Sequence, residues 1–141
     1  MKTKVPRSYW FISTLALLWN AMGCLAYLSM QLMPQGVLEA MPEAERALFE
    51  NTPEWVTSAF AISVWFGLLG CIFLLLRKSL AHPVLIVSFI GIVTQQIWNF
   101  FIGKTYEVFP PEQALMPIVV VLIGIYLIYY SKRAKTNNWI N

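Results

Sequence analysis

WVTSAFAISVWFGLLGCIFLLL, residues 55–76, runs for twenty-two positions without a charged side chain and stops at Arg77 and Lys78. A helix needs about 20 apolar residues to cross the hydrocarbon core of a bilayer. Within the stretch, Ala59, Ser63, Gly67 and Gly70 recur at steps of four and three, which places them on one helix face. Small residues let helix backbones approach closely in lipid, where no hydrophobic force drives association. One segment therefore predicts a membrane-spanning helix and a seam along which a second helix packs.

Working outward, three more blocks have the same character. They run from about Tyr9 to Leu32, Pro83 to Ile102 and Gln113 to Tyr130, which with 55–76 makes four spans in a single integral membrane domain, residues 1–141. The chain is 58% hydrophobic and 12% charged, about half the charged share of a soluble domain. Each span must be helical, because a crossing segment satisfies its backbone internally and no period-two barrel pattern occurs. The sequence predicts an all-α, four-helix transmembrane bundle. The N-terminal MKTKVPRSYWFISTLALLWNAMGC has the basic head and apolar body of a signal peptide. Its apolar run continues past Cys24 to Leu32, however, and no small-x-small cleavage site follows, so a retained first helix is expected.

The net charge of +3 does not point to nucleic acid, since the cations form no basic face with interleaved aromatics. Lys2, Lys4 and Arg7, then Arg77 and Lys78, then Lys132, Arg133 and Lys135 all fall on one side of a four-pass chain. By the positive-inside rule both termini are cytoplasmic. All seven glutamates fall on the other side, with only Arg46 and Lys104. In the first outer loop, MPEAERALFE predicts a short amphipathic helix lying on the surface. Next, Thr52 would cap the second span, with Pro53 and Glu54 in its first turn. Pro111 would open the fourth helix, leaving Pro117 either as a kink or as the mark of a later start. The fourth helix, mostly Val, Ile, Leu and Tyr around Gly124, is expected to face lipid most widely.

Polar residues interrupt the oily runs. TQQIWNF, residues 94–100, holds four amide or hydroxyl side chains. Ser88, Gly91, Gln95 and Asn99 share a face of the third span, and Ser13, Ala16, Asn20, Gly23, Tyr27 and Gln31 share one of the first. At 1.5 Å per residue, Asn20 and Gln95 lie ~16–18 Å above the cytoplasmic boundary and Ser63 ~19 Å. The expectation is a midplane polar layer in which Gln95, with Asn99 a turn above, finds Asn20 and Ser63. Gln96 points about 100° away from it. The layer reads either as interhelical glue, worth ~0.6 kcal/mol per hydrogen bond, or as a cavity for a neutral polar solute. Trp19, Asn20, Ser63, Gln95, Trp98 and Asn99 are its candidate lining.

WNAMGCLAY (19–27) and WNFFIGKTY (98–106) both read W-N-x(6)-Y, an echo consistent with two parallel hairpins of the kind some transporters repeat. No span holds a Glu, Lys, Arg or His, which argues against a proton-driven pump but not against passive movement of neutral solutes. His82, read as lying in the short cytoplasmic link, lacks Cys or His partners and is expected to be structural. Cys24 and Cys71 differ too much in depth for a disulfide. No phosphate loop, nucleophile elbow or HExxH occurs. No catalytic residue, metal site or cofactor is therefore expected, and the chain is not expected to be an enzyme.

YWFISTLALLWNAMGCLAYL, PEAERALFENTPEWVTSAFAISVWFGLLGCIFLLLRK and the closing NNWI resemble a family of small proteobacterial four-helix inner-membrane proteins, some loosely labelled sugar transporters. The resemblance implies a bacterial inner-membrane location and a sugar-like substrate class, but no binding residues. Two functions stay open: a facilitator for a small neutral solute, needing a homo-oligomer to enclose a path, or a non-transporting subunit that meets a membrane partner.

Overall fold

The computed structural model describes residues 4–104, 107 and 111–140, and of residues 111–114 only the backbone. Lys2 and Tyr106 and the side chains of Glu112 and Gln113 lie outside the described residues. The fold is all-α. In chain order come α1 (Arg7–Gln31), α2 (Gln35–Ala40), α3 (Glu43–Glu50), α4 (Glu54–Leu75), α5 (Ala81–Ile97, prolonged by a π-helical turn over Trp98–Ile102) and α6 (Pro111–Thr136). Among the described residues, four segments are long and apolar enough to cross a membrane: Arg7–Gln31, Glu54–Leu75, Ala81–Ile102 and Leu115–Thr136.

The helices pack in sequence order, α1 on α4, α4 on α5 and α5 on α6. The α4–α5 seam is built from the small residues. A Cβ on Gly91 would lie 2.8 Å from Ala59 O and 3.0 Å from Ser63 N, so only glycine permits that approach. Ser88 Oγ donates to Ser63 O at 2.6 Å across the same seam. Gly23 packs against Val64 in the α1–α4 seam, where Cys24 Sγ donates to Val64 O at 3.3 Å. Cys24 and Cys71 are both free thiols. The outer helices α1 and α6 are equally exposed: 17% of each span's apolar window is buried, against 39% for α4 and 28% for α5. The fourth span therefore does not stand apart, because α1 is just as peripheral.

Three local details differ from the sequence reading. The Thr52 hydroxyl does not cap α4. It donates back to Leu48 O at 2.8 Å, where the C-terminus of α3 leaves a carbonyl unpaired. α4 begins instead with Pro53 as cap and no side-chain bond. His82 lies inside α5, because the helix starts at Ala81 and Pro83 in the first turn needs no N–H partner. α6 runs unbroken from Pro111 through Pro117.

One end of the bundle is closed. Both α4 and α6 finish in Schellman turns. Lys78 N bonds Phe73 O (2.8 Å) and Arg77 N bonds Leu74 O (3.0 Å), while Trp139 N bonds Ala134 O (2.8 Å) and Asn138 N bonds Lys135 O (3.2 Å). The left-handed residue is Arg77 (φ 58°) in one and Asn138 (φ 59°) in the other. The second turn folds the tail back over the bundle, and Ile140 is buried there with Tyr9, Leu74, Leu127 and Tyr130. Tyr9 stacks on Tyr130 (centroids 6.1 Å apart) and meets Trp139 edge-on (5.8 Å), and its hydroxyl donates to Leu74 O. Arg77 Nε donates to Trp139 O at 2.8 Å, tying the two turns together. Ser131 Oγ donates to Ile128 O (2.9 Å). Its proton is thus committed, so His82 Nδ1 donates to Ser131 Oγ (2.8 Å) and pins α5 to α6.

Candidate functional site

At the opposite end, which carries α2 and α3, the helices separate around two clefts. The larger, of about 370 Å³, lies between α1, α4, α5 and α6. That is within the range of small-molecule sites, about 300–1,000 Å³. Trp19, Asn20, Ser63, Gln95, Gln96 and Asn99 supply its polar and aromatic wall, with Met116 and Pro117 on the α6 side. Of the six residues nominated from sequence, five line this cleft. Trp98 lines the second, of about 200 Å³, which lies beneath α3. Phe60, Gln95 and Asn99 border both, so the two are neighbours across a shared wall.

The predicted hydrogen bonds do not form. Asn20 Nδ2 donates to Ala16 O (2.9 Å) and Cys71 Sγ (3.3 Å). Ser63 Oγ donates to Phe60 O at 2.7 Å. The Gln95 side-chain amide has no hydrogen-bond partner among the described residues. The three side chains face one space without touching. The space between them is why: 370 Å³ separates the walls that direct contact would close. Gln95 is not sealed in either, since Ser13 Oγ and Tyr130 Oη are the only buried side-chain N or O atoms lacking a partner among the described residues. Its amide opens into the clefts.

Gln96 was not nominated, yet it is more deeply buried than Gln95 and accepts a bond from Asn99 Nδ2 at 3.0 Å. The signal was present, because Gln96 extends the buried stripe Leu85, Ser88, Ile92 at helical steps of three and four. The π-helical turn shapes the far wall. Gly103 N reaches back to Trp98 O, and a Cβ on Gly103 would lie 2.7 Å from the Trp98 ring, which folds over it. π turns of this kind occur frequently at functional sites. The two W-N segments consequently differ: Trp19–Asn20 is ordinary helix and half-buried, while Trp98–Asn99 is π-helical, with Trp98 buried.

Four crossing-length helices around clefts walled by amides define an integral, multi-pass membrane protein. No protein-family model, curated protein or solved structure matches the chain, so none of these comparisons ties it to proteobacteria or to sugar transport.

Proposed function

We propose that the chain is a facilitator for a small, neutral, polar solute, held in the larger cleft by the amides of Asn20, Gln95, Gln96 and Asn99 beside the Trp19 ring. The observation that carries this reading is the open, partnerless amide of Gln95. A polar group stranded in an apolar medium costs about 1–3 kcal/mol, so water or the hydroxyl and amide groups of a solute complete it. No ionisable side chain among the described residues lines the larger cleft, which suits an uncharged cargo. Sugars, the class implied by the sequence resemblance, are one candidate among polyols and amides. α1 and α6 leave the cleft open between them, so a second copy of the chain would complete its wall.

The cations at the closed end, among them Arg7, Arg77, Lys78, Lys132, Arg133 and Lys135, favour placing that end and both termini in the cytoplasm of a bacterial inner membrane. The α3 helix would then lie on the outer surface. Enzymatic chemistry forms no part of this reading. The Ser131–His82 pair is the arrangement nearest to a nucleophile and base, but Ser131 is fully buried at the closed end.

Uptake of sugars, polyols and small amides into proteoliposomes tests the proposal. At least one neutral solute should enter faster than in empty vesicles, and Gln95→Leu and Asn20→Leu should each lower the initial rate about five- to tenfold while the fold persists. Uptake indistinguishable from empty vesicles for the whole panel, with a stably co-purifying membrane protein, would replace the facilitator with a non-transporting subunit.

A further inference from the structure

The smaller cleft differs from the larger in one chemical respect. It contains a carboxylate. Among the described residues Glu45, on α3, is the one ionisable side chain on its wall, and there it has neither a side-chain hydrogen bond nor an ion pair. Glu39, by contrast, is engaged by Gln35 Nε2 at 3.2 Å. Around Glu45 stand Phe49, Phe60 and Trp98 with Met30 and Met41. Aromatic faces carry negative quadrupoles that attract cations, more strongly where water is excluded, and thioethers are polarisable fillers that adapt to varied apolar shapes. An unpartnered carboxylate set among such walls matches a ligand that is cationic at one end and apolar at the other.

A second observation points the same way. This end of the molecule carries Glu39, Glu43, Glu45, Glu50, Glu54 and Glu107 against Arg46 and Lys104. Such a surface concentrates cations and repels anions at the mouth of the cleft. A metal ion fits less well: hard divalent cations take six or more oxygen ligands or retain several waters, and no group of three or more His, Cys, Asp or Glu that could hold a metal ion occurs among the described residues.

We propose that the cleft beneath α3 binds a small amphiphilic organic ammonium ion, its head against Glu45 and its apolar body against Phe49, Phe60 and Trp98. The volume of about 200 Å³ holds a single aromatic ring with its ammonium head. The site does not rest on the facilitator reading, which needs the larger cleft and a neutral cargo, although Phe60, Gln95 and Asn99 border both clefts. Asn20 lines the larger cleft and not the smaller, and so separates the two.

The test is binding of benzyltrimethylammonium to the full chain in nanodiscs of zwitterionic lipid, followed by calorimetry. Saturable binding is expected, and benzyl alcohol, which keeps the ring but lacks the charge, should bind at least about tenfold more weakly. Glu45→Gln should weaken the ammonium about tenfold or more, whereas Glu43→Gln, exposed on the same helix and outside the cleft, should stay within about twofold. Phe49→Leu should cost about two- to fivefold, and Asn20→Leu should bind like the parent even if it abolishes solute uptake. Absence of saturable binding, equal binding of benzyl alcohol, or equal losses in Glu43→Gln and Glu45→Gln would overturn the proposal. The last result would mean that only diffuse surface charge attracts the probe.

Discussion

The two ends of this bundle are made from the same four helices and are built in opposite ways. At the tail end, hydrogen bonds, stacked rings and two Schellman turns converge on Tyr9, Leu74 and Trp139, and Tyr9, Leu74, Cys71, Ala81 and Ala134 are wholly buried. At the α3 end, polar side chains face space, and the Gln95 side-chain amide is unbonded among the described residues. Local stability varies across a fold, and binding regions are drawn from its weaker parts. The contrast assigns stability to the tail end and the proposed ligand sites to the other. A site that opens and closes needs one such firm end to move against.

The contrast breaks first at Tyr9. Tyr9→Ala removes a fully buried ring that stacks on Tyr130, meets Trp139 and bonds Leu74 O. Large-to-small changes of this type cost about 3–5 kcal/mol. Denaturant titration in mixed micelles should show that loss, and the emission of Trp139 should shift as the tail detaches. A change below about 1 kcal/mol would show that the tail end is no firmer than the other.

A smaller effect is expected where the turn itself is strained. Arg77 holds a left-handed conformation, φ 58°, which costs a non-glycine residue about 1–2 kcal/mol, and it returns a hydrogen bond to Trp139 O. Arg77→Ala keeps the strain and loses the bond, so it should destabilise by about 1–2 kcal/mol. Arg77→Gly loses the same bond but relieves the strain, leaving a net change near zero. The glycine variant should therefore unfold at a higher denaturant concentration than the alanine variant. Equal midpoints would mean that backbone strain at this turn carries no weight.

The same contrast explains what the sequence could disclose. Uncharged blocks such as 55–76 announce four spans because lipid imposes length and composition together. The seam was equally legible: Ala59, Ser63, Gly67 and Gly70 meet Ser88 and Gly91 because helical period alone decides the face. The closed end was hidden. Its turns place Arg77 and Asn138 where glycine would be the visible marker, and the pairing of Trp139 with Tyr9 joins residues from opposite ends of the chain. In the polar layer, period and depth brought Asn20, Ser63 and Gln95 to one space, but neither fixes a rotamer. Each of Asn20 and Ser63 found a nearer partner on its own or an adjoining helix. Helical period places Gln96 about 100° away from Gln95 and predicts a different surface for it, because Gln95 fits the expected face, yet both border the cleft.

The two adjacent glutamines give the finest test of the contrast, since they occupy one turn of α5 and differ in what they lose. Gln95→Leu removes no hydrogen bond within the described residues and replaces a half-buried amide with an apolar side chain of similar length. In a bilayer that exchange should change stability by less than about 0.5 kcal/mol, with a slight gain as the favoured sign. Gln96→Leu leaves Asn99 Nδ2 without its 3.0 Å acceptor at a position only 9% exposed. It should destabilise by about 1 kcal/mol, the ordinary worth of one such bond. Unfolding midpoints of the two variants in the same micelles compare them directly. A loss at Gln95 as large as that at Gln96 would mean that the cleft is bridged by a bond this conformation does not display. The open end would then be held together like the closed one.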